Sequence, residues 1–418
     1  MTTLKILGVI AFALSILISV SLHEAGHMVT AKAFGMKVTR YFVGFGPTLW
    51  SFRRGETEYG LKGIPLGGFV KIVGMTQDED DVEPADEPRA MWRFPVWKRT
   101  IVMSAGSAVH FLLAALATWI LAMTLGLPNP AIPQSNDEFM KMAPFVKIAS
   151  CAVVSADAPE CAATDPASPA GKAGLRDGDR IVSLGGRPTP TNKEFLEVTR
   201  ASKVGPSTIS YERDGTVVTS PITLVEVQRR PLGDPKGPVT KAAAIGVGLA
   251  LDPSIKPSLT YGPVDAVGAT GDFIGNMATM TVASMKKLPS KVPALFSAIG
   301  GGERDTETPI SVVGASLIGG ELVQAQAWSG FVMLFISLNF FVGLFNLLPL
   351  LPLDGGHIAI SWFERVRSWL YPKVGRRDPG RVDYAKMLPL TYGVILVFGA
   401  FTLLTVVADI VNPISLFR

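Results

Sequence analysis

Apolar positions gather into four long blocks along the chain. The first runs from Leu4 to Lys32 and is almost continuously apolar from Ile6 to Val20. The second is free of charge from Thr100 to Asn136 and densest at Phe111 to Leu127. The third is charge-free from Leu322 to Leu353, and the fourth lies between Lys386 and Asp409. Each exceeds the roughly 20 helical residues that cross a hydrocarbon core about 30 Å thick. The pattern predicts membrane-spanning helices within 1–34, 99–127, 327–354 and 388–411. A cleaved leader is the alternative for the first, because Lys5, the apolar core and Ser19-Val20-Ser21 fit that template. Against it, the helical pattern runs on to Phe34 without a proline.

Between the second and third blocks, polar and apolar positions alternate as in a water-soluble domain over 143–228. Ser168-Pro-Ala-Gly-Lys-Ala-Gly-Leu-Arg-Asp-Gly-Asp-Arg-Ile reads as a short helix, a turn and a strand. Asn192 to Ala201 suits an amphipathic helix capped by Thr191 or Asn192. Asp214-Gly215 between Ile209–Tyr211 and Val217–Val218 signals a tight hairpin. This run resembles a PDZ domain of bacterial membrane and periplasmic proteases, which implies binding of extended peptides by strand addition. Arg229 to Pro257 reads as a Pro/Gly-rich linker, residues 260 to 300 as helices at a membrane surface, and Pro309 to Gly320 as too short to span. The segment 229–326 is therefore expected to hold a linker and surface helices.

Composition sharpens this picture. Of 418 residues 18% are charged and 48% hydrophobic, against about 25% charged in an ordinary soluble protein. The mean hydropathy is +0.34. Disordered, collagenous and wholly soluble proteins are excluded, and a net charge of +4 is too small and scattered for a nucleic-acid groove. Basic residues concentrate in 35–98 (Lys37, Arg40, Arg53, Arg54, Lys62, Lys71, Arg89, Arg93, Lys98) and in 355–387 (Arg365, Arg367, Lys373, Arg376, Arg377, Arg381, Lys386). The positive-inside rule makes both connections cytoplasmic, and both termini and the segment from about 128 to 326 extracytoplasmic. The two cysteines, Cys151 and Cys161, fall in that outward segment, where they could be joined or stand as free thiols.

The chemistry sits inside the first span. His23-Glu24-Ala25-Gly26-His27 is an H-E-x-x-H motif. Positions i and i+4 share a helix face, so both imidazoles can address one ion, and zinc suits neutral imidazole nitrogens. Glu24 is placed to take a proton from a water on that zinc. A third ligand is needed, and Asp354 in Asn346-Leu-Leu-Pro-Leu-Leu-Pro-Leu-Asp-Gly-Gly-His357 is expected to supply it from the end of the third span. The alternative for Asp354 is a helix-terminating turn. Pro349 and Pro352 break the helix there, which is tolerable at membrane depth only in protein or beside a wet cavity.

H-E-x-G-H in the first span, N-x-x-P…L-D-G in a later one and an outward PDZ-like run closely resemble the site-2 proteases. Among them the chain resembles the bacterial regulator-of-sigma-E type, and its single PDZ-like run and paired cysteines resemble actinobacterial members. The fold implied is a polytopic α-helical membrane protein of four transmembrane helices. A cytoplasmic membrane-associated β-hairpin and an extracytoplasmic α+β PDZ domain complete it.

The resemblance also implies roles. His23, His27 and Asp354 bind one zinc per chain, with Glu24 as general acid/base. Gly63, Gly67 and Gly68 match the family's G-x-x-x-G-G element, which holds substrate extended. The residues themselves suggest a hairpin there, Trp50–Phe52 with Thr57–Leu61 around Arg54-Gly55. Asn339 and Asn346 match substrate-contacting asparagines, although an interhelical hydrogen bond fits Asn339 equally. The implied activity is regulated intramembrane proteolysis in a bacterial plasma membrane. Single-pass proteins such as anti-sigma factors, and remnant signal peptides, are cut after a site-1-type protease has trimmed them outside. Lipid surrounds the enzyme and nucleic acid plays no part. One departure stands out: Gly106-Ser-Ala-Val-His110 replaces the family's G-P-x-x-N, putting His110 where asparagine is usual. His110 is read as a core histidine or a neighbour of the metal, and His357 as a supporting or surface residue. A zincin acting on soluble or prenylated peptides and a silent PDZ scaffold are the competing functions.

Overall fold

The computed structural model describes residues 2–417 apart from 76–81, 134, 159, 233, 235–236 and 306. In chain order its elements begin with α1 (Thr3–Ala33), β1 (Val38–Arg54), β2 (Thr57–Ile72) and α2 (Val96–Met123). There follow β3 (Leu127–Pro128), α3 (Asn136–Lys141), β4 (Phe145–Ile148), α4 (Pro169–Lys172), β5 (Arg180–Leu184), β6 (Arg187–Pro188) and α5 (Asn192–Ala201). Next come β7 (Gly205–Arg213), β8 (Thr216–Arg229), β9 (Thr240–Ala244), β10 (Val247–Ala250) and β11 (Ser258–Leu259). The chain ends with α6 (Asp265–Ile299), α7 (Val312–Gln324), α8 (Trp328–Asn346), α9 (Asp354–Leu370) and α10 (Leu388–Val411). Contacts divide these elements into a helical unit, Met1–Gly126 with Thr260–Arg418, and a β-rich unit, Leu127–Leu259.

In the helical unit α1, α2, α8 and α10 are long and apolar enough to cross a membrane. They coincide with the four blocks seen in the sequence, with one difference. The third ends at Asn346, and Asp354 does not close it but opens α9 after a seven-residue loop. Pro349 and Pro352 account for the break, since neither can donate to a helix and each clashes with the preceding turn. α7 has 13 residues, too few to span, and packs on α1 through small residues. A Cβ on Gly319 would lie 2.8 Å from Phe12, and one on Gly320 2.6 Å from Val9. Its first turn is held by α10: Asp409 accepts from the Ser311 N–H at 2.6 Å and pairs with Arg304 at 2.7 Å, both side chains being buried. Residues 265–299 form one continuous 35-residue helix through Pro289 and Pro293, where several surface helices were expected.

β1 and β2 make a more elaborate element than a single hairpin. Arg54 pairs with Thr57 and Trp50 with Leu61, as the turn at Gly55 predicts. Beyond that the register shifts repeatedly, and Arg40–Val43 pair with Glu58–Leu61 and also with Gly68–Lys71. The two long segments thus curl into a small sheet against α1, where Tyr41 donates to the Ser21 carbonyl at 2.7 Å.

In the β-rich unit one sheet runs β10-β4-β5-β7-β8-β9, antiparallel, with β6 on β5. The expected hairpin is β7–β8, whose Asp214 (φ 50°) and Gly215 (φ 76°) adopt the left-handed conformations a two-residue turn needs. Thr191 caps α5 in a capping box with Glu194. Phe195 of α5 packs with Val146, Ile181, Leu184, Ile209, Tyr211, Leu224 and Ile245 in one core. The expected boundary at 228 cuts through this sheet. β9 and β10, which lie in the presumed linker, pair with β8 and β4, and Ala243 of β9 and Ile245 between the two strands join the core. Cys151 and Cys161 form a disulfide, S–S 2.03 Å. The unit's two ends meet, because β3 pairs with β11.

Asp179 anchors the turn before β5. It accepts from Arg213 Nε at 2.8 Å and Nη2 at 2.7 Å, and from the Arg176 N–H at 2.8 Å. Burial alone would push its carboxyl up, but the Arg213 and Arg176 hydrogen bonds outweigh it and hold the group below the ordinary aspartate value. A depressed folded-state value gives stability that is full above about pH 4 and lost as pH falls through that value. Thermal melts of the full-length protein should therefore lose stability as pH falls below about 4, and Asp179→Asn should flatten that fall. An identical pH profile in the variant would contradict the assignment.

Candidate metal centre

His23 and His27 lie one turn apart on α1 and are both buried, because α2 approaches unusually closely. A Cβ on Gly26 would sit 2.8 Å from the Ala105 carbonyl oxygen. A Cβ on Gly106 would sit 2.4 Å from His27 Nε2 and 2.6 Å from His23 Nε2. These two glycines let the backbones close over the imidazoles. Gly106 offers no donor atom, yet the close packing over the imidazoles requires it. Its signal was the small run Ala105-Gly106-Ser107 in the middle of an apolar span.

Asp354 reaches the same point from the start of α9. The loop Leu347–Leu353 folds tightly onto the helix it precedes: a Cβ on Gly355 would lie 2.3 Å from the Leu347 and Leu348 carbonyl oxygens, and one on Gly356 2.6 Å from Leu350. Asp354-Gly-Gly is thus a steric requirement of the turn that delivers the carboxylate.

The three side chains converge. His23 Nε2 and His27 Nε2 are 3.1 Å apart, and each is 3.4 Å from Asp354 Oδ2. Among the described residues they form a group able to hold a metal ion. The edges of a tetrahedron around zinc with bonds near 2.0–2.1 Å measure about 3.3 Å, so the spacing fits three corners of such a set. The proton arrangement agrees. His27 Nδ1 donates to the Val102 carbonyl at 2.7 Å, which leaves Nε2 as a lone pair. Asp354 Oδ2 is buried and has no hydrogen-bond partner. Lone pairs and a carboxylate brought together in low dielectric repel unless a cation lies among them, so the donor set fits zinc.

Glu24 stands beside this group, close enough to interact electrostatically with His23, His27 and Asp354. The curled sheet comes up to it: a Cβ on Gly68 would lie 3.3 Å from Glu24 Cγ, and the Val70 backbone N–H faces its carboxylate. Gly67, at φ +105°, takes a conformation that side chains rarely adopt, and a Cβ there would meet the Phe45 ring at 2.9 Å. Gly63 lies further off, against Pro47.

Asn339 is engaged within the protein. Its amide nitrogen donates to the Phe335 carbonyl at 2.9 Å, so its oxygen accepts from His110 Nδ1 at 2.8 Å. Both groups are buried. This bond ties α8 to α2, the interhelical alternative considered for Asn339. The His110 ring also lies 5.0 Å from that of His23. Asn346 is the last, half-buried residue of α8. His357, one turn after Asp354, stacks on Tyr384 at 5.9 Å, and its Nδ1 is buried.

Comparison with known proteins agrees with this geometry. The chain is 44% identical to the zinc metalloprotease Rip1 of Mycolicibacterium smegmatis, over 99% of each protein. It is 42% identical to Rip1 of Mycobacterium tuberculosis H37Rv, over 98% of this chain and 99% of that one. The family model of peptidase family M50 matches residues 11–378. A chain matched over most of its length in this way belongs to the M50, or site-2 protease, family of peptidases.

Proposed function

We propose that this protein is a zinc-dependent endopeptidase that cuts within membrane-spanning segments of single-pass proteins. The observation that carries the proposal is the convergence of His23, His27 and Asp354 at 3.1–3.4 Å on and beside a helix apolar enough to span a membrane, with Glu24 adjacent. Zinc held by those three residues would polarise the scissile carbonyl and lower the pKa of a water at the open position. Glu24 takes the proton from the attacking water and returns it to the leaving amine. His27 is held in its ligating tautomer by Val102. Gly106 keeps the space over the imidazoles clear of side-chain atoms.

A helical substrate cannot present a peptide bond until it unwinds, because its carbonyls are engaged. In this reading the strand Gly68–Lys71, which lies beside Glu24, pairs with the unwound segment and compensates its exposed backbone groups. Gly63 and Gly67 support that strand's path, and Asn346 stands at the end of α8 from which the loop to Asp354 departs. The β-rich unit is a PDZ-like domain on the extracytoplasmic side that admits only substrates already trimmed there by a site-1-type protease. The basic connections 35–98 and 355–387 are cytoplasmic and both termini extracytoplasmic. Anti-sigma factors and remnant signal peptides are the substrates that match such a sequence of cuts.

Three outcomes test the reading. Glu24→Gln should lower cleavage of a tagged single-pass substrate by on the order of 10²- to 10⁴-fold while about one zinc per chain is retained. Undiminished cleavage would contradict Glu24's role. Gly106→Ala, by placing a methyl group among the ligand atoms, should lose the zinc that Glu24→Gln keeps, as read by metal analysis of the purified protein. Finally, because β3 and β11 bring the ends of the β-rich unit together, Leu127–Leu259 can be replaced by a short linker. That deletion should relax the need for prior trimming. Loss of all cleavage with zinc intact would mean that the unit does more than filter.

A further inference from the structure

The helical unit carries a second feature, on the helix that begins with Asp354. α9 is amphipathic in the reverse sense of a soluble helix. Trp362, Phe363, Val366, Trp369 and Leu370 are exposed, while Ser361 and Glu364 are buried against the protein. The exposed set recurs at helical spacing, so it forms one stripe. Such a face is stable where its surroundings are apolar on one side and wet on the other.

Between this helix and the start of α2 lies a cleft of about 640 Å³. Trp92, Trp97 and Trp362 form aromatic walls, and Arg99, Arg365 and Arg381 bring guanidiniums to it. Trp97 is the second residue of a helix long enough to span, so the cleft opens at the level where a span emerges into headgroups and where Trp is favoured. Arg99 is committed to Glu364 at 3.2 Å, but Arg365 and Arg381 form no ion pair among the described residues. Arg381 lies over the Trp92 ring at 4.1 Å, held in place without being neutralised. The surrounding segment 355–387 carries seven basic and three acidic residues.

We propose that this cleft binds the headgroup of an anionic phospholipid from the surrounding bilayer. The two unpaired guanidiniums match a phosphodiester, for which arginine's planar fork is well suited. The tryptophans and the α9 stripe match the glycerol and upper acyl region. A zwitterionic headgroup brings its own cation to the same guanidiniums and so binds less well. The consequence reaches the ligand set, because Asp354 is the first residue of α9 and Trp362 follows it about 12 Å along the axis. A lipid seated in the cleft steadies the helix that presents the carboxylate.

The test uses the full-length protein in detergent micelles containing equal amounts of phosphatidylglycerol and phosphatidylcholine, with bound lipid read by native mass spectrometry. The unsubstituted protein should retain phosphatidylglycerol preferentially. R365Q/R381Q should reduce that preference by on the order of fivefold for each charge removed. The same neutralisation at Lys172 and Arg187 in the β-rich unit should leave it unchanged. Equal retention of both lipids by the unsubstituted protein, or an unaltered preference in R365Q/R381Q, overturns the proposal. So does displacement of the bound lipid by millimolar inorganic phosphate, which would make the site one for free anions. A phosphatidylglycerol with a photoreactive group near its headgroup gives a readout that needs no variant. Labelling should fall within Trp92–Arg99 or Trp362–Arg381, and labelling confined elsewhere would contradict the site.

Discussion

Everything in the helical unit depends on how closely α1 and α2 approach. Two imidazoles at i and i+4 of an apolar helix would ordinarily face lipid or the side chains of a neighbour. Here Gly26 and Gly106 remove the side chains that would hold the helices apart, and α2's backbone lies against the ring nitrogens themselves. The same closeness lets the Val102 carbonyl accept from His27 Nδ1. One steric condition thus buries the two imidazoles and fixes a tautomer.

A second condition is electrostatic. A carboxylate and two imidazole nitrogens within 3.4 Å of one another are a poor arrangement for a low-dielectric interior unless a cation is shared among them. The chain accepts the cost of bringing Asp354 there by breaking the helical path after Asn346 and packing the loop onto two glycines. Two buried polar pairings brace the same unit: His110 with Asn339 between α2 and α8, and Asp409 with Arg304 and the first turn of α7.

Much of this was legible in the sequence because the signals are one-dimensional. Charge-free runs mark α1, α2, α8 and α10, H-E-x-x-H is a spacing on one helix, and Asp214-Gly215 is a local turn. Asp354 was legible too, as a carboxylate stranded beside apolar residues. What escaped depends on contacts distant in sequence. Gly106 matters only because α1 lies against it. The double pairing of Arg40–Val43 cannot be read from alternation, which reports one face and not two edges. β9 and β10 are short and rich in alanine and glycine, so they carry little strand propensity and owe their conformation to β8 and β4. The end of α8 was misplaced for a different reason, since the loop Leu347–Leu353 is as apolar as the helix before it.

The central claim is that a metal ion is held by His23, His27 and Asp354 between α1, α2 and α9. X-ray absorption at the zinc edge, on purified full-length protein, tests it most directly. The account predicts a four-coordinate shell of nitrogen and oxygen at about 2.0 Å with the outer-shell scattering of two imidazoles, reduced to one imidazole in His27→Ala. Zinc absent from active protein, or a shell without imidazole scattering, would contradict it.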